Sequence, residues 1–263
     1  MTEHIYFISG LPRSGSTLLC NLLCQNPRSR ATSTSGVAEV LRGIKDGWQN
    51  VSAFRAMPNG EMYDKLRQTL RAALFGYYAD VEEPVVFDKS RVWPAYIEML
   101  EGILPHPVKI LVTVRNLADV MASWELRYRE TSALGRVPVP QGVPVATVEN
   151  RIKWYSASNH PIGAAFNVIK DAFARGHEDK MHVVEFEALT KTPKATMMGI
   201  YEFLGEDPFE HDFEHVEQIT QEDDREHGFI GLHQVRTKVE PIPSCWREVL
   251  GPAGEGASKQ RCW

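Results

Sequence analysis

Residues 4–25, HIYFISGLPRSGSTLLCNLLCQ, decide the fold. The stretch 4–9 is apolar and short enough for a buried strand, and residues 10–15 form a glycine-bounded turn. Leucines at 18, 19, 22 and 23 then lay one stripe along a helix over residues 16–25. Strand, glycine loop and helix, in that order, open a nucleotide-binding α/β unit.

Outward from this unit, the pattern repeats. Strands are predicted at 84–87 (PVVF), 108–114 (VKILVTV) and 181–186, alternating with helices over 61–78, 94–102, 117–129, 147–175 and 192–204. Gly205 stops the last of these. Such alternation predicts a doubly wound, mainly parallel sheet flanked by helices in one domain spanning 1–263, with 251–263 as a flexible tail. Prolines and glycines crowd residues 132–146, which predicts a loop. Between 202 and 226 eleven acidic residues face a single arginine, a composition that reads as a solvated face without function.

The bulk numbers agree with an ordinary globular protein. Of 263 residues, 43% are hydrophobic, enough for a sizeable core, and 24% are charged. A net charge of −5 argues against a broad polyanion-binding surface, hence against nucleic acid as partner. No apolar run approaches the roughly 18 residues needed to span a bilayer. The first nine residues lack the basic-then-apolar order of a secretory leader. Cys20, Cys24, Cys245 and Cys262 form no CxxC pair and read as reduced thiols, which predicts a cytoplasmic protein.

Two sites carry chemistry. In Gly10-Leu-Pro-Arg13-Ser14-Gly15-Ser16-Thr17 the glycines lie five apart and hydroxyl residues open the helix. A loop of this outline turns backbone N–H groups inward at a helix N-terminus and suits a phosphate. The lysine that follows the second glycine in nucleoside-triphosphate enzymes is replaced by Ser16, and the nearest cation is Arg13. The strand at 108–114 ends in Arg115, where a kinase would commonly place a magnesium-holding aspartate. Ser123 follows eight residues on, in the next helix. An arginine there suits a second phosphate. The implied ligand is a nucleotide with two separate anionic ends, bound without metal.

These residues resemble the sulfotransferases that use 3′-phosphoadenosine 5′-phosphosulfate (PAPS). The loop Leu11-Pro-Arg-Ser-Gly-Ser-Thr17 is similar to that family's 5′-phosphosulfate loop, and Arg115 with Ser123 matches its 3′-phosphate pair. Val183-Val-Glu-Phe-Glu187 followed by Phe203-Leu-Gly205 resembles a third family motif, in which Phe186 stands where many relatives stack a tyrosine on adenine. The segment 232–239 resembles the one that closes over the nucleotide, which offers Arg236 and Lys238 as 3′-phosphate or lid contacts or as ordinary exposed charges.

The resemblance implies in-line sulfuryl transfer from PAPS to a hydroxyl acceptor: a small molecule, a sugar or a tyrosine. Lys89, directly after the strand at 84–87, matches a lysine of the protein-tyrosine sulfotransferases that donates to the transferring group, with Arg13 assisting. The general base stays open. The histidine of the cytosolic enzymes' Lys-x-His pattern is absent, since Ser90 and Arg91 follow Lys89. Glu39 is the nearest acid to the position that tyrosine-specific relatives use, and Asp88 and His233 are further candidates. A small-molecule kinase with an altered loop and a non-catalytic nucleotide-binding module are the rival readings.

Overall fold

The computed structural model describes residues 2–136, 139 and 142–257. Its centre is a five-stranded sheet in the order β2-β3-β1-β4-β5, every pair parallel. The strands are β1 (His4–Gly10), β2 (Ser29–Thr34), β3 (Val85–Lys89), β4 (Ile110–Val114) and β5 (Met181–Glu185).

Period-2 alternation along β1 separates two cores. Ile5 and Phe7 face one side, where Val86, Ile110 and Val112 join them against α2 (Val37–Asn50), α4 (Asn59–Tyr77), α5 (Ile97–Ile103), α6 (Leu117–Ala133) and α8 (Pro161–Ala174). Tyr6 and Ile8 face the other, packed with Phe87 and Leu111 against α1 (Ser16–Leu23), α9 (Phe186–Lys191) and α10 (Pro193–Leu204). Parallel strands covered on both faces read as nearly continuous apolar runs, which is why HIYFIS and VKILVTV are so plain in the sequence.

Two elements depart from the sequence expectation. β2 is an edge strand whose residues, Ser-Arg-Ala-Thr-Ser-Thr, bury only the small side chain of Ala31 in the core, so no apolar pattern marks it. The helix predicted over 147–175 is two helices, α7 (Val148–Ser156) and α8. Pro161 opens α8, and Gly163 lets the chain double back so closely that a Cβ there would meet Ser156 O and Ala157 O at 2.3 Å. Short helices α3 (Ser52–Arg55) and α11 (Trp246–Leu250) complete the set of α-helices among the described residues.

Of the loop expected over 132–146, residues 137, 138, 140 and 141 lie outside the described residues, as does 258–263 of the stretch expected as a tail. The preceding Gly251–Gly254 forms a 3-10 turn against Trp246, and Ala257 is buried. No helix among the described residues is long and apolar enough to cross a membrane.

From β1 the chain runs outward to β2, and from β4 outward the opposite way to β5. The carboxyl ends of β1 and β4 therefore flank a topological switch point, where open α/β sheets bind their ligands.

Candidate active site

The loop after β1 is shaped by three left-handed or extended positive-φ residues. Gly10 (φ 142) lies so close to β4 that a Cβ would meet Thr113 O at 2.2 Å, and Gly15 (φ 89) leaves the helix N-terminus open. Arg13 (φ 61) is the non-glycine residue in this region, a strained conformation of the kind found at ligand-binding loops. Ser14 is turned away from the loop's mouth. Its hydroxyl is buried and bonded to Leu11 O at 2.5 Å, Thr113 O at 2.9 Å and Thr113 Oγ1 at 2.7 Å, so it staples the loop to β4.

A cavity of about 450 Å³ opens at the switch point. Arg13, Gly15, Ser16, Thr17, Lys89, Arg115, Ser123, Phe186, Arg236 and Lys238 all line it. Residues more than 200 positions apart in sequence thus meet in one place. Glu39 does not; it lies on the exposed face of α2. Asp88 is also elsewhere. It is fully buried within β3, accepting from Trp93 Nε1 at 2.7 Å and from the Tyr78 hydroxyl, and burial pushes its carboxyl up from the ordinary value.

The cavity's α6 end is crowded with arginine. Arg13 Nε donates to Ser123 Oγ at 3.0 Å, and its Nη1 reaches the Leu232 carbonyl. Arg115 sits with its guanidinium 4.4 Å over the Phe186 ring, and its Nε is buried without a hydrogen-bond partner. Arg127, one turn past Ser123 on the same face of α6, also lines the cavity. Burial, then the charges of Arg127 and Arg115, pull the Arg13 guanidinium down to about 10. Burial likewise lowers Arg115. Cations held this close call for an anion between them.

At the β3 end stands Lys89, its ammonium 3.8 Å from Glu222 Oε2 and its backbone N–H bonded to Thr32 Oγ1 at 2.9 Å. Glu222 also accepts from Thr34 N at 3.1 Å and Thr34 Oγ1 at 3.0 Å, and His233 Nε2 lies 3.5 Å from the same oxygen. Burial alone would raise the Glu222 carboxyl; Lys89, Thr34 and His233 outweigh it and hold it down to about 2. Behind His233 stands Asp224, with Oδ1 2.5 Å from Nδ1 and Oδ2 accepting the His233 N–H at 3.2 Å. Burial, then the charge of Lys89, lowers the His233 imidazole, against the opposing pull of Asp224 and Glu222.

Glu222, Asp224 and Arg127 were not legible as site residues. The two acids belong to the run read as a solvated face, and most of its members are indeed exposed. Arg127 carried a usable signal, its four-residue spacing from Ser123.

Arg236 and Lys238 occupy the rim. Lys238 Nζ pairs with Glu214 at 2.6 Å and Arg236 with Glu240 at 3.8 Å, both side chains more than half exposed. A buried asparagine also fastens the segment that carries them to the first helix. Asn21 donates to Thr17 O at 2.8 Å and Thr220 Oγ1 at 2.9 Å, and accepts from Ile219 N at 2.6 Å and Thr220 N at 3.0 Å.

The sulfotransferase family model matches residues 6–211, most of the chain and both nucleotide motifs. The chain belongs to the sulfotransferase family. It is an enzyme of sulfuryl transfer, and the kinase and non-catalytic readings are not favoured.

Solved sulfotransferases share its fold. The sulfotransferase domain of the Synechococcus PCC 7002 olefin synthase matches with a TM-score of 0.54 at 19% identity, covering 98% of this chain and 94% of that one. The Alicyclobacillus acidocaldarius sulfotransferase matches at 0.50 and 18%, covering 86% and 87%. Retinol dehydratase, solved with androsterone and the inactive cofactor PAP, matches at 0.53 and 14%, covering 98% and 79%. No curated protein sequence matches the chain significantly.

Proposed function

We propose that this sulfotransferase takes its sulfuryl group from PAPS and gives it to a hydroxyl acceptor. One observation carries the choice of donor: Arg115, directly after β4, lines the cavity beside Ser123. A guanidinium at that edge of the sheet offers N–H groups suited to a phosphate. Arg115, Ser123 and the rim residues Arg236 and Lys238 would hold the 3′-phosphate. The backbone of 13–17, with the Ser16 and Thr17 hydroxyls, would hold the 5′ end. Phe186 offers an apolar face to the adenine. Ser14 supports the loop from below rather than touching the ligand with its hydroxyl.

At the other end Lys89 is placed to stabilise charge that builds on the sulfuryl oxygens and the departing phosphate oxygen, the dominant requirement of a loose in-line displacement. Arg13 Nε rests on Ser123 instead of beside Lys89, so we assign Arg13 to the nucleotide and leave the sulfuryl group to Lys89 and the loop N–H groups. The structural relative solved with androsterone fits an acceptor that bears a hydroxyl. The free thiols of Cys20, Cys24 and Cys245 fit a cytoplasmic location.

The test is incubation with PAPS, EDTA and a mixed panel of alcohols, phenols, sugars and tyrosine peptides. A mass increase of one sulfuryl group on a panel member is the expected result. Transfer from ATP instead, or transfer only with added Mg²⁺, would overturn the reading.

A further inference from the structure

We infer that His233, oriented by Asp224, is the general base that takes the proton from the acceptor hydroxyl. The inference rests on the sulfuryl-transfer reading above and fills the role that neither Glu39 nor Asp88 can reach.

The geometry is that of an oriented imidazole. An ionised carboxylate can only accept, so the 2.5 Å contact with Asp224 Oδ1 puts the hydrogen on Nδ1 and the lone pair on Nε2. Asp224 holds the same residue twice, by its ring and by its backbone N–H. Gln218 pins the other side, donating to His233 O at 2.8 Å and accepting from Val235 N at 3.1 Å. The ring therefore has one orientation, with its basic nitrogen on the side of Lys89: the two groups lie 3.5 and 3.8 Å from the same Glu222 oxygen. His233 and Lys89 both line the cavity; Asp224 and Glu222 do not. An acceptor hydroxyl on Nε2 would meet a sulfuryl group held at Lys89.

The balance is simple. As the acceptor oxygen forms its bond to sulfur, its proton passes to Nε2, and the sulfur–oxygen bond to the 5′-phosphate breaks. The electron pair leaves on adenosine 3′,5′-bisphosphate. The groups that face His233 are Asp224, Glu222, Lys89 and His227, whose ring centroid is 5.5 Å away. Their net effect with burial keeps the imidazole below its ordinary value, neutral and able to accept at neutral pH.

Glu222 is the competing candidate and is poorly suited. A carboxyl held down to about 2 is a weak base, and its oxygens are engaged by Thr34, His227 and Lys89.

The experiment compares wild type, His233→Ala and Asp224→Asn on those panel members that the wild type sulfates, ordered by the acidity of their hydroxyls. Removing a general base typically lowers kcat about 10²–10⁴-fold. His233→Ala should show such a loss while binding adenosine 3′,5′-bisphosphate as the wild type does, which also reports that it folds. The loss should shrink steadily as the acceptor hydroxyl becomes more acidic, because an acceptor already ionised needs no base. Asp224→Asn should lower kcat with KM little changed and displace the acidic limb of the pH profile. A loss equal across the acceptor series, or none, overturns His233 as base while leaving sulfuryl transfer intact. A wild type that binds the bisphosphate but sulfates nothing overturns the function and the base together.

Discussion

Arg13 Nε and Ser123 Oγ, 110 residues apart in sequence, are joined by a 3.0 Å hydrogen bond across the nucleotide cavity. The bond draws a third arginine towards Arg115 and Arg127, where burial and like charge already act against Arg13. A dianion arriving there relieves the crowding. Adenosine 3′,5′-bisphosphate at a hundred times its Kd, in EDTA, should stabilise the fold by about 2.7 kcal/mol. For a chain of this size that raises Tm by roughly 5–10 °C. Thermal scans with the bisphosphate and with AMP check it, and an equal shift from AMP would argue against a 3′-phosphate site.

Arg115→Ala should weaken the bisphosphate strongly and AMP hardly at all. Its charge-assisted bond is worth roughly 1.5–3 kcal/mol, a factor of about ten to a hundred in Kd. Pairing with Asp119 is the alternative employment for Arg115: Asp119 is the leading charge that opposes the lowering by burial, and its Oδ1 accepts from Ser244 Oγ at 2.8 Å. Titrating both nucleotides against both proteins gives the coupling energy, and a value near zero would remove Arg115 from the 3′-phosphate.

Lys89→Ala should reduce kcat on the order of 10²–10³-fold with the bisphosphate affinity retained, since its contact strengthens only as charge develops. Steady-state kinetics beside calorimetry separate the two. A weakened Kd with unchanged kcat would make Lys89 a binding residue alone.

Gly15→Ala should damage the nucleotide loop by two routes. The residue sits at φ 89, costly for any L side chain by about 1–2 kcal/mol, and the new Cβ would stand 2.7 Å from Phe186 Cδ2. Adding Phe186→Ala removes the second cause and not the first. Bisphosphate affinity in the double variant should recover only in part relative to Gly15→Ala after allowing for the Phe186→Ala background.

Asp88→Asn should stabilise the protein at neutral pH. Burial raises the folded-state value of this carboxyl above the unfolded one. Its contribution is therefore fully present below the unfolded value and is lost as pH rises through the folded one. Asparagine can still accept from Trp93 and carries no charge to bury. Tm should rise by about 2–4 °C per kcal/mol of relieved ionisation at neutral pH, the difference closing near pH 4. A variant destabilised equally at both pH values would mean that the Tyr78 and Trp93 bonds need the carboxylate.

The sheet was legible because β1 and β4 are buried on both faces and are therefore largely apolar. β2 was not, because an edge strand with one small core residue leaves no hydrophobic trace. In the site, Arg13, Arg115 and Ser123 stand at places fixed by backbone geometry: a loop after a strand, a strand end and the first turns of a helix. Lys89 is legible on the same ground. Glu222 and Asp224, unlike His233, went unread; they lie on chain with no strand and one short 3-10 turn (Asp224–His227), held by side chains such as Asn21 and Gln218. No periodicity records such an arrangement, so an acidic run that is mostly exposed conceals the two acids that turn inward.

Asn21 deserves a last consequence. By fastening residues 219 and 220 to the first helix, it ties the chain bearing Glu222, Asp224, His233, Arg236 and Lys238 to the phosphate loop itself. On the roles assigned above, one buried amide side chain thus supports the donor pocket and the base together, beside the Arg13–Leu232 and Thr34–Glu222 contacts.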